Sequence, residues 1–340
     1  MKHAVTLGVV LLVLPAGQQA DFARQEARAI LVRQGFGEAD LARLEAGEVI
    51  AQSDTLDDGE IVTTGAVKVN ASRERVLRYY GQLASYVDGE VTLAFGRFSD
   101  PPALGDVAGL AFDPDEIEEL RTCRIGDCDI KLSGSALTSL RETIDWSAPD
   151  HADAVNELVR RRAIDYVNDY RTRGDAALIV FNDDDEPVSV REHWLDLLSE
   201  ATVYAEYVPE LIEYLRSYPA ARPDGARDLF YWAKGDYGLK PVISLVHAII
   251  YSAPSRPDRD IVVQKFIYAS HYFDASVASA TLLSAGPATT YVLYGNRSKG
   301  DLLRGGLGMA KRAVARSQAT KATESTLRAI KTVLERNPGH

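Results

Sequence analysis

The densest group of residues able to do chemistry is the run FIYASHYFDAS, residues 266–276, which sets His271 and Asp274 among tyrosines and serines. A histidine beside a carboxylate is the base-and-orienter pair of many hydrolases. The spacing argues against that pairing here. Side chains alternate along a strand, so Ile267, Ala269, His271, Phe273 and Ala275 share one face, and Tyr268, Ser270, Tyr272, Asp274 and Ser276 share the other. Only a bulge would bring His271 to Asp274. A second imidazole, His247, lies in PVISLVHAIIYS (241–252), on the face of Ile243, Leu245 and Ile249. Two apolar faces in neighbouring strands thus carry one histidine each. Pockets for apolar ligands are commonly built this way, as a greasy lining with a few placed polar groups. Each histidine also has a plainer reading, as a neutral core residue donating one hydrogen bond. No G-x-S-x-G elbow supplies a serine nucleophile. No H-x-x-E-H spacing organises His247, His271 and Asp274 around a metal.

Three further features are candidates for binding. Trp232 closes the aromatic run LFYW (229–232), and Tyr204, Tyr207, Tyr214 and Tyr218 precede it; all are core residues on the simpler view, or a lid over a cavity. Arg297 sits in YGNRSKGDLLRGG (294–306), a glycine-bearing turn of the kind that cradles an anion at a helix entry, or an ordinary connection. The acidic run Asn182 to Glu186 lacks the alternating ligand spacing of a calcium loop and reads as a solvated turn. The ligand-binding candidates are therefore His247, His271, Phe273, Ile267, Tyr268, Tyr272, Asp274, Trp232 and Arg297. No catalytic residue, metal ligand or cofactor is nominated.

The elements that must position these residues fall into three blocks. Residues 21–98 hold two amphipathic helices, Phe22 to Gly35 and Glu38 to Ala46, then a β-branched strand, Glu60 to Val69. Asn70-Ala71-Ser72 caps a helix over Arg73 to Leu83, and Val91 to Phe98 is a second strand. Residues 99–227 are mainly helical, with helices expected at Glu116 to Leu120, Ser135 to Ile144, Ala152 to Thr172, Ser189 to Glu200 and Pro209 to Tyr218. Residues 228–340 change period. Leu229 to Lys234, Pro241 to Ser252, Asp260 to Ser284 and Ala288 to Arg297 read as an antiparallel meander, the third segment splitting near Ser270 to Asp274. A long helix then runs from Asp301 to Arg336, with a break expected at Gly305-Gly306.

An early strand, a capped helix, a meander and one long C-terminal helix is an order that resembles the START-like, helix-grip (polyketide cyclase-like SRPBCC) superfamily. The residues that carry the likeness are EIVTTGAVKVNASRERVLRYYGQL at the front and Leu229 to Arg336 at the back. The resemblance implies an α+β fold, in which an antiparallel sheet wraps the last helix around a hydrophobic cavity. It also implies a lipid or other apolar small molecule as ligand, with cyclases and hydrolases among the alternatives. The helical block is longer than the usual connection and reads as an insertion.

Composition bounds the rest. A net charge of −11 argues against nucleic acid as a partner. Residues 301–340 carry eight basic and three acidic side chains, a basic helix that could meet an anionic membrane surface or simply be solvated. Lys2, the apolar run Ala4 to Leu14 and the breaker Pro15 read as a secretory signal over residues 1–20, cleaved between about Ala16 and Asp21. That places the mature protein in the periplasm or outside the cell. In that setting Cys123 and Cys128, with four residues including Gly126 between them, read as a disulfide closing a small loop. Two thiols alone lack the four ligands of structural zinc. The expected function is binding of a hydrophobic small molecule or lipid. The alternatives are a hydrolase or cyclase using His271 or His247 with a nearby carboxylate, and a non-catalytic envelope protein with a filled core.

Overall fold

A computed structural model of the chain describes residues 16–56, 59–82, 91–200, 207–236, 240–254, 256, 258–300 and 309–336. Two helices come first, α1 (Ala16–Arg33) and α2 (Glu38–Glu45), then strands β1 (Ile50–Thr55) and β2 (Glu60–Val69). Helix α3 (Arg73–Gly81) follows at once. Its start is set by Ser72, whose Oγ accepts from Arg75 N at 3.3 Å, and its buried stripe is Val76, Tyr79 and Tyr80. After β3 (Thr92–Arg97) the chain leaves the sheet for a helical stretch. That stretch holds α4 (Pro114–Thr122), α5 (Gly134–Thr143), α6 (His151–Arg173), α7 (Val190–Ser199) and α8 (Pro209–Ser217), with a two-residue ladder between β4 (Val180–Phe181) and β5 (Val188–Ser189). It returns as the meander β6 (Ala226–Gly235), β7 (Val242–Tyr251), β8 (Arg259–Ala269), β9 (Phe273–Ser284) and β10 (Thr290–Gly300), and α9 (Met309–Arg336) closes the fold.

The main sheet runs β1-β2-β10-β9-β8-β7-β6-β3, every pair antiparallel. Strand β2 meets β10 because the meander curls the last strand back to the first. The insertion enters and leaves between neighbours: Phe98 N donates to Phe230 O at 2.9 Å, so its two ends meet across one ladder. That is why a long block fits here without breaking the sheet.

One face of the sheet, the inner face, grips α9. Val67, Val69, Tyr231, Val246, Ile250, Val262, Leu282 and Val292 turn to it and meet Tyr79 and Tyr80 of α3 and Leu327, Ile330 and Leu334 of α9. Each of those three aliphatic side chains contributes roughly 1.5–3 kcal/mol of burial before entropic costs. Gly65 seats α9 closely: a Cβ there would stand 2.9 Å from both Ile50 O and Leu327 Cδ1. The opposite, outer face carries Phe230, Trp232, Ile243, Leu245, Ile249 and Val263, and the insertion's helices cover it. Helices α1 and α2 cover the rest of that face, over Ile50, Ala66, Leu283, Tyr291 and Leu293. This is the α+β helix-grip arrangement expected from element order.

The structure differs from the sequence reading in several places. Strand β1, with its polar IAQSDT sequence, was not anticipated; it pairs along β2 and extends the sheet by one strand. The 260–284 segment does split, at Ser270–Tyr272, where Tyr272 has φ +64°. The acidic run is not wholly solvated: Asp183 is buried, because Lys131 Nζ lies 3.3 Å from its Oδ2. The expected break at Gly305-Gly306, and Ala4 to Pro15 of the signal reading, lie outside the described residues. Among the described residues no helix is long and apolar enough to cross a membrane. Basic side chains of α9 find partners within the chain, Arg316 with Asp54, Arg328 with Glu324 and Lys331 with Glu335. Cys123 and Cys128 are bonded, with Cα atoms 4.6 Å apart.

Candidate functional site

Residues directly opposite on paired strands point the same way, so register determines what lies beneath the insertion. One outer-face row reads Phe230, His247, Lys265, Val277, Arg297, Val62 and Asp54. Three basic side chains therefore share one row across the sheet, with Val277 between Lys265 and Arg297, and each is held by a carboxylate. His247 Nε2 donates to Asp228 Oδ1 at 2.8 Å, Lys265 is bonded to Asp175, and Arg297 Nε donates to Glu60 Oε1 at 2.5 Å.

The next outer-face row is Val263, Ser279, Gly295, Thr64 and Gln52. Its middle three members are small, so the sheet surface is hollow there. Over the hollow lie Trp194, Leu197 and Leu198 of α7 and Leu211, Ile212 and Leu215 of α8. Gln34 and Gly35, from the turn after α1, close one end. The result is a cavity of about 600 Å³ with an apolar roof and a largely polar floor. That is within the usual range for small-molecule sites, about 300–1,000 Å³.

Of the residues nominated from sequence, Arg297 lines this cavity. Its Nη1 also donates to Glu200 O at 3.2 Å. His247 sits one strand beyond Lys265, enclosed by aromatics: its ring stacks on Phe230 at 4.5 Å and packs against Tyr218 and Tyr170. Tyr170 Oη donates to His247 Nδ1 at 3.2 Å, and Tyr214 Oη donates to Asp228. Burial pushes the imidazole pKa down against the pull of Asp228, so the ring is held neutral. Burial works to raise the Asp228 pKa, but hydrogen bonds from His247 and Tyr214 hold it below the ordinary value. The pair has the donor geometry of a base and its orienter, yet the ring is 1% exposed and does not line the cavity.

Trp232 is also under the insertion, donating from Nε1 to Asp106 O at 2.8 Å. The remaining candidates gather at the β8–β9 turn, at the other end of the meander. His271 Nδ1 is 2.9 Å from Ser270 Oγ and 3.9 Å from Glu116 Oε1. Lys131 Nζ reaches Asp274 at 3.0 Å. Tyr272 Oη accepts from Lys240 N at 2.9 Å, Phe273 N donates to His271 O at 2.7 Å, and Ile267 O accepts from Tyr166 Oη at 2.7 Å. Tyr268 packs on Phe181, its phenol pKa raised by burial. The turn interrupts the strand, so alternation does not carry through His271. The nine candidates thus occupy three separate places.

Lys265 stands between the histidine and the cavity. Its Nζ lies 4.1 Å from the centroid of Trp194 and 5.3 Å from that of Tyr170. Burial lowers its pKa to about 8 despite the attraction of Asp175. The cavity residues Gln34, Trp194 and Ser279 were not singled out by the sequence. One signal was available, Gly295 within a strand, since a glycine there marks missing bulk or close approach. Tyr204, a candidate lid residue, lies outside the described residues, and α8 roofs the cavity with aliphatic side chains instead.

No family model matches the chain, and no curated protein matches it in sequence. Solved structures that it resembles include a START superfamily protein from Mycobacterium smegmatis, at 14% identity over 44% of this chain and 91% of that one, TM-score 0.25. The Zhui aromatase/cyclase from a Streptomyces species is similar at 12% identity, over 42% of this chain and 84% of that one, TM-score 0.24. A di-domain aromatase/cyclase from the steffimycin biosynthetic pathway, StfQ, is similar at 13% identity over 82% of this chain and 99% of that one, TM-score 0.25. These likenesses concern fold alone.

Proposed function

We propose that the chain binds a hydrophobic small molecule or lipid, held between the helical insertion and the outer face of the sheet. The observation that carries this reading is the 600 Å³ cavity itself. A well-packed interior leaves few voids larger than a water molecule, and this one is shaped by a row of small residues beneath two leucine-rich helices. The seat differs from the one the helix-grip resemblance implied. On the inner face Leu327, Ile330 and Leu334 occupy the groove between sheet and α9. The insertion supplies the second wall that the outer face otherwise lacks.

Native mass spectrometry of protein purified from its own source, followed by lipid extraction, tests this. The expected result is a bound apolar species of a few hundred daltons that is absent from Ser279→Phe, whose ring fills the hollow. Wild-type protein without an adduct and without a thermal shift on adding lipid extract would overturn it.

We also read the chain as exported. The Cys123–Cys128 disulfide suits an oxidising compartment, and the apolar run Ala4 to Leu14 suits a cleaved signal. Fractionation with N-terminal sequencing should find a mature chain beginning between residues 16 and 21. A chain retained in the cytosol with Met1 or Lys2 at its start would refute export.

A further inference from the structure

The cavity divides its polarity between floor and roof, which narrows the ligand class on the reading just given that it binds one. The roof is hydrocarbon where Leu197 and Leu198 of α7 and Leu211 and Leu215 of α8 face the sheet. The floor carries a polar stripe that register lays across four strands: Ser279 of β9, Gly295 of β10, Thr64 of β2 and Gln52 of β1. All four are partly exposed, so a molecule lying on the floor reaches them. Ser279 Oγ leans towards the glycine, 3.3 Å from where a Cβ of residue 295 would stand. Neighbouring strands lie about 4.8 Å apart, so Ser279 and Thr64 are roughly 10 Å apart across that gap. Each hydroxyl can both donate and accept. Val62 and Val277 lie in the adjoining row, so the polar groups form a line and not a single spot.

Charge adds a second constraint. Arg297 is paired with Glu60 and Arg316 with Asp54, while Glu200 is a further lining carboxylate. An anion entering here meets no surplus positive charge among the described lining residues. A head-and-tail lipid separates its polarity along its length, and would lay methylene groups over the hydroxyls of the stripe. Covering a hydroxyl without giving it a partner is unfavourable. A molecule whose polarity is divided across its thickness matches both walls. We infer that the ligand is an uncharged facial amphiphile: a flat body with hydroxyl or carbonyl groups along one face, set down on Thr64 and Ser279, and hydrocarbon on the face under the leucines.

Equilibrium dialysis of the full chain against methyl cholate, methyl lithocholate and cholate separates these chemistries on one ring skeleton. Methyl cholate carries hydroxyls along one face, methyl lithocholate carries its hydroxyl at one end, and cholate gives the first an anionic end. Methyl cholate should bind most tightly, ahead of methyl lithocholate by roughly tenfold for the added hydrogen bonds. A hydrocarbon floor would give the reverse order, because each added hydroxyl would lose water without gaining a partner. Thr64→Val keeps the side-chain shape, removes the hydroxyl and should cut the preference by roughly threefold. Ser279→Ala should do the same independently, which keeps the test intact if one variant does not fold. Methyl lithocholate or cholate binding tightest, or a preference unmoved by both variants, would overturn the inference and leave the cavity reading standing. If none of the probes binds while lipid extract still raises the unfolding temperature, the inference fails alone. If lipid extract has no effect either, the cavity reading falls with it.

Discussion

At the scale of single residues, His247 shows how burial sets chemistry. Asp228 lies 2.8 Å away, and Lys265 is its neighbour in register. Tyr170, Tyr218 and Phe230 surround the ring, with Arg222 on the far side of Asp228 and Arg171 over Phe230. The carboxylate favours the cation, but burial outweighs it and the folded-state pKa is depressed. The unfolded chain takes up a proton near its ordinary value of about 6.5, before the folded protein does. Stability from this group is therefore intact above that pH and falls as pH drops below it, by at most about 1.4 kcal/mol per unit. Buried Glu116 and Asp260 have raised pKa values and act in the opposite sense. Urea unfolding at pH 7.5 and 5.5 should thus be compared with a His247→Leu/Asp228→Asn double variant. The wild type should lose more stability than the variant, by about 1 kcal/mol over that interval. Equal losses would show that His247 is not the sensitive group.

At the scale of elements, the grip on α9 depends on β2 coming close to it at Gly65. A valine there suits a strand by propensity, yet its Cβ would meet Ile50 O and Leu327 Cδ1 at 2.9 Å. Gly65→Val should therefore destabilise the fold by about 1–3 kcal/mol, as overpacking does, read as a lower urea midpoint with unchanged slope. Gly295→Ala is the control. Its added Cβ meets only Ser279 Oγ, at 3.3 Å, because the cavity lies above it. The control should stay within about 0.5 kcal/mol of wild type, as substitutions away from tight packing usually do. If both variants match the wild type, α9 is not seated on Gly65 as described.

At the scale of the whole molecule, the insertion and the sheet share one apolar cluster. Phe230, Trp232, Leu245, Ile249 and Val263 are covered by α4 to α8 rather than by water. Joining residue 98 to residue 226 by a short turn is topologically simple, because β3 and β6 are already paired. The shortened chain would nonetheless expose a broad apolar face, well beyond the few hundred Å² that soluble monomers tolerate. It should aggregate, or bind a hydrophobic dye strongly and unfold without cooperativity. A soluble, cooperatively folding sheet would show instead that residues 99–225 are a separable unit.

Much of this was legible in advance. Strand β2 matches its expected range, the splitting of the long β segment falls at Ser270–Tyr272, and the cysteine pair closes its loop. These are local properties: alternation with period two, capping serines, and two thiols with four residues between them. Alternation also placed His247 with Ile243, Leu245 and Ile249 on one face, as observed. Strand β1 escaped notice because IAQSDT carries no apolar alternation and owes its conformation to pairing with β2. Periodicity tells which residues share a face, but not which partner covers that face. The cavity joins Gln34, Thr64, Trp194, Leu215, Ser279 and Gly295, which meet through antiparallel register and a helical insertion. Only long-range pairing aligns three small residues from three strands in one row, and only tertiary packing puts leucines above them. The sequence determined most of the elements and the bonded corner; the tertiary structure decided the edge strand β1 and where the space is.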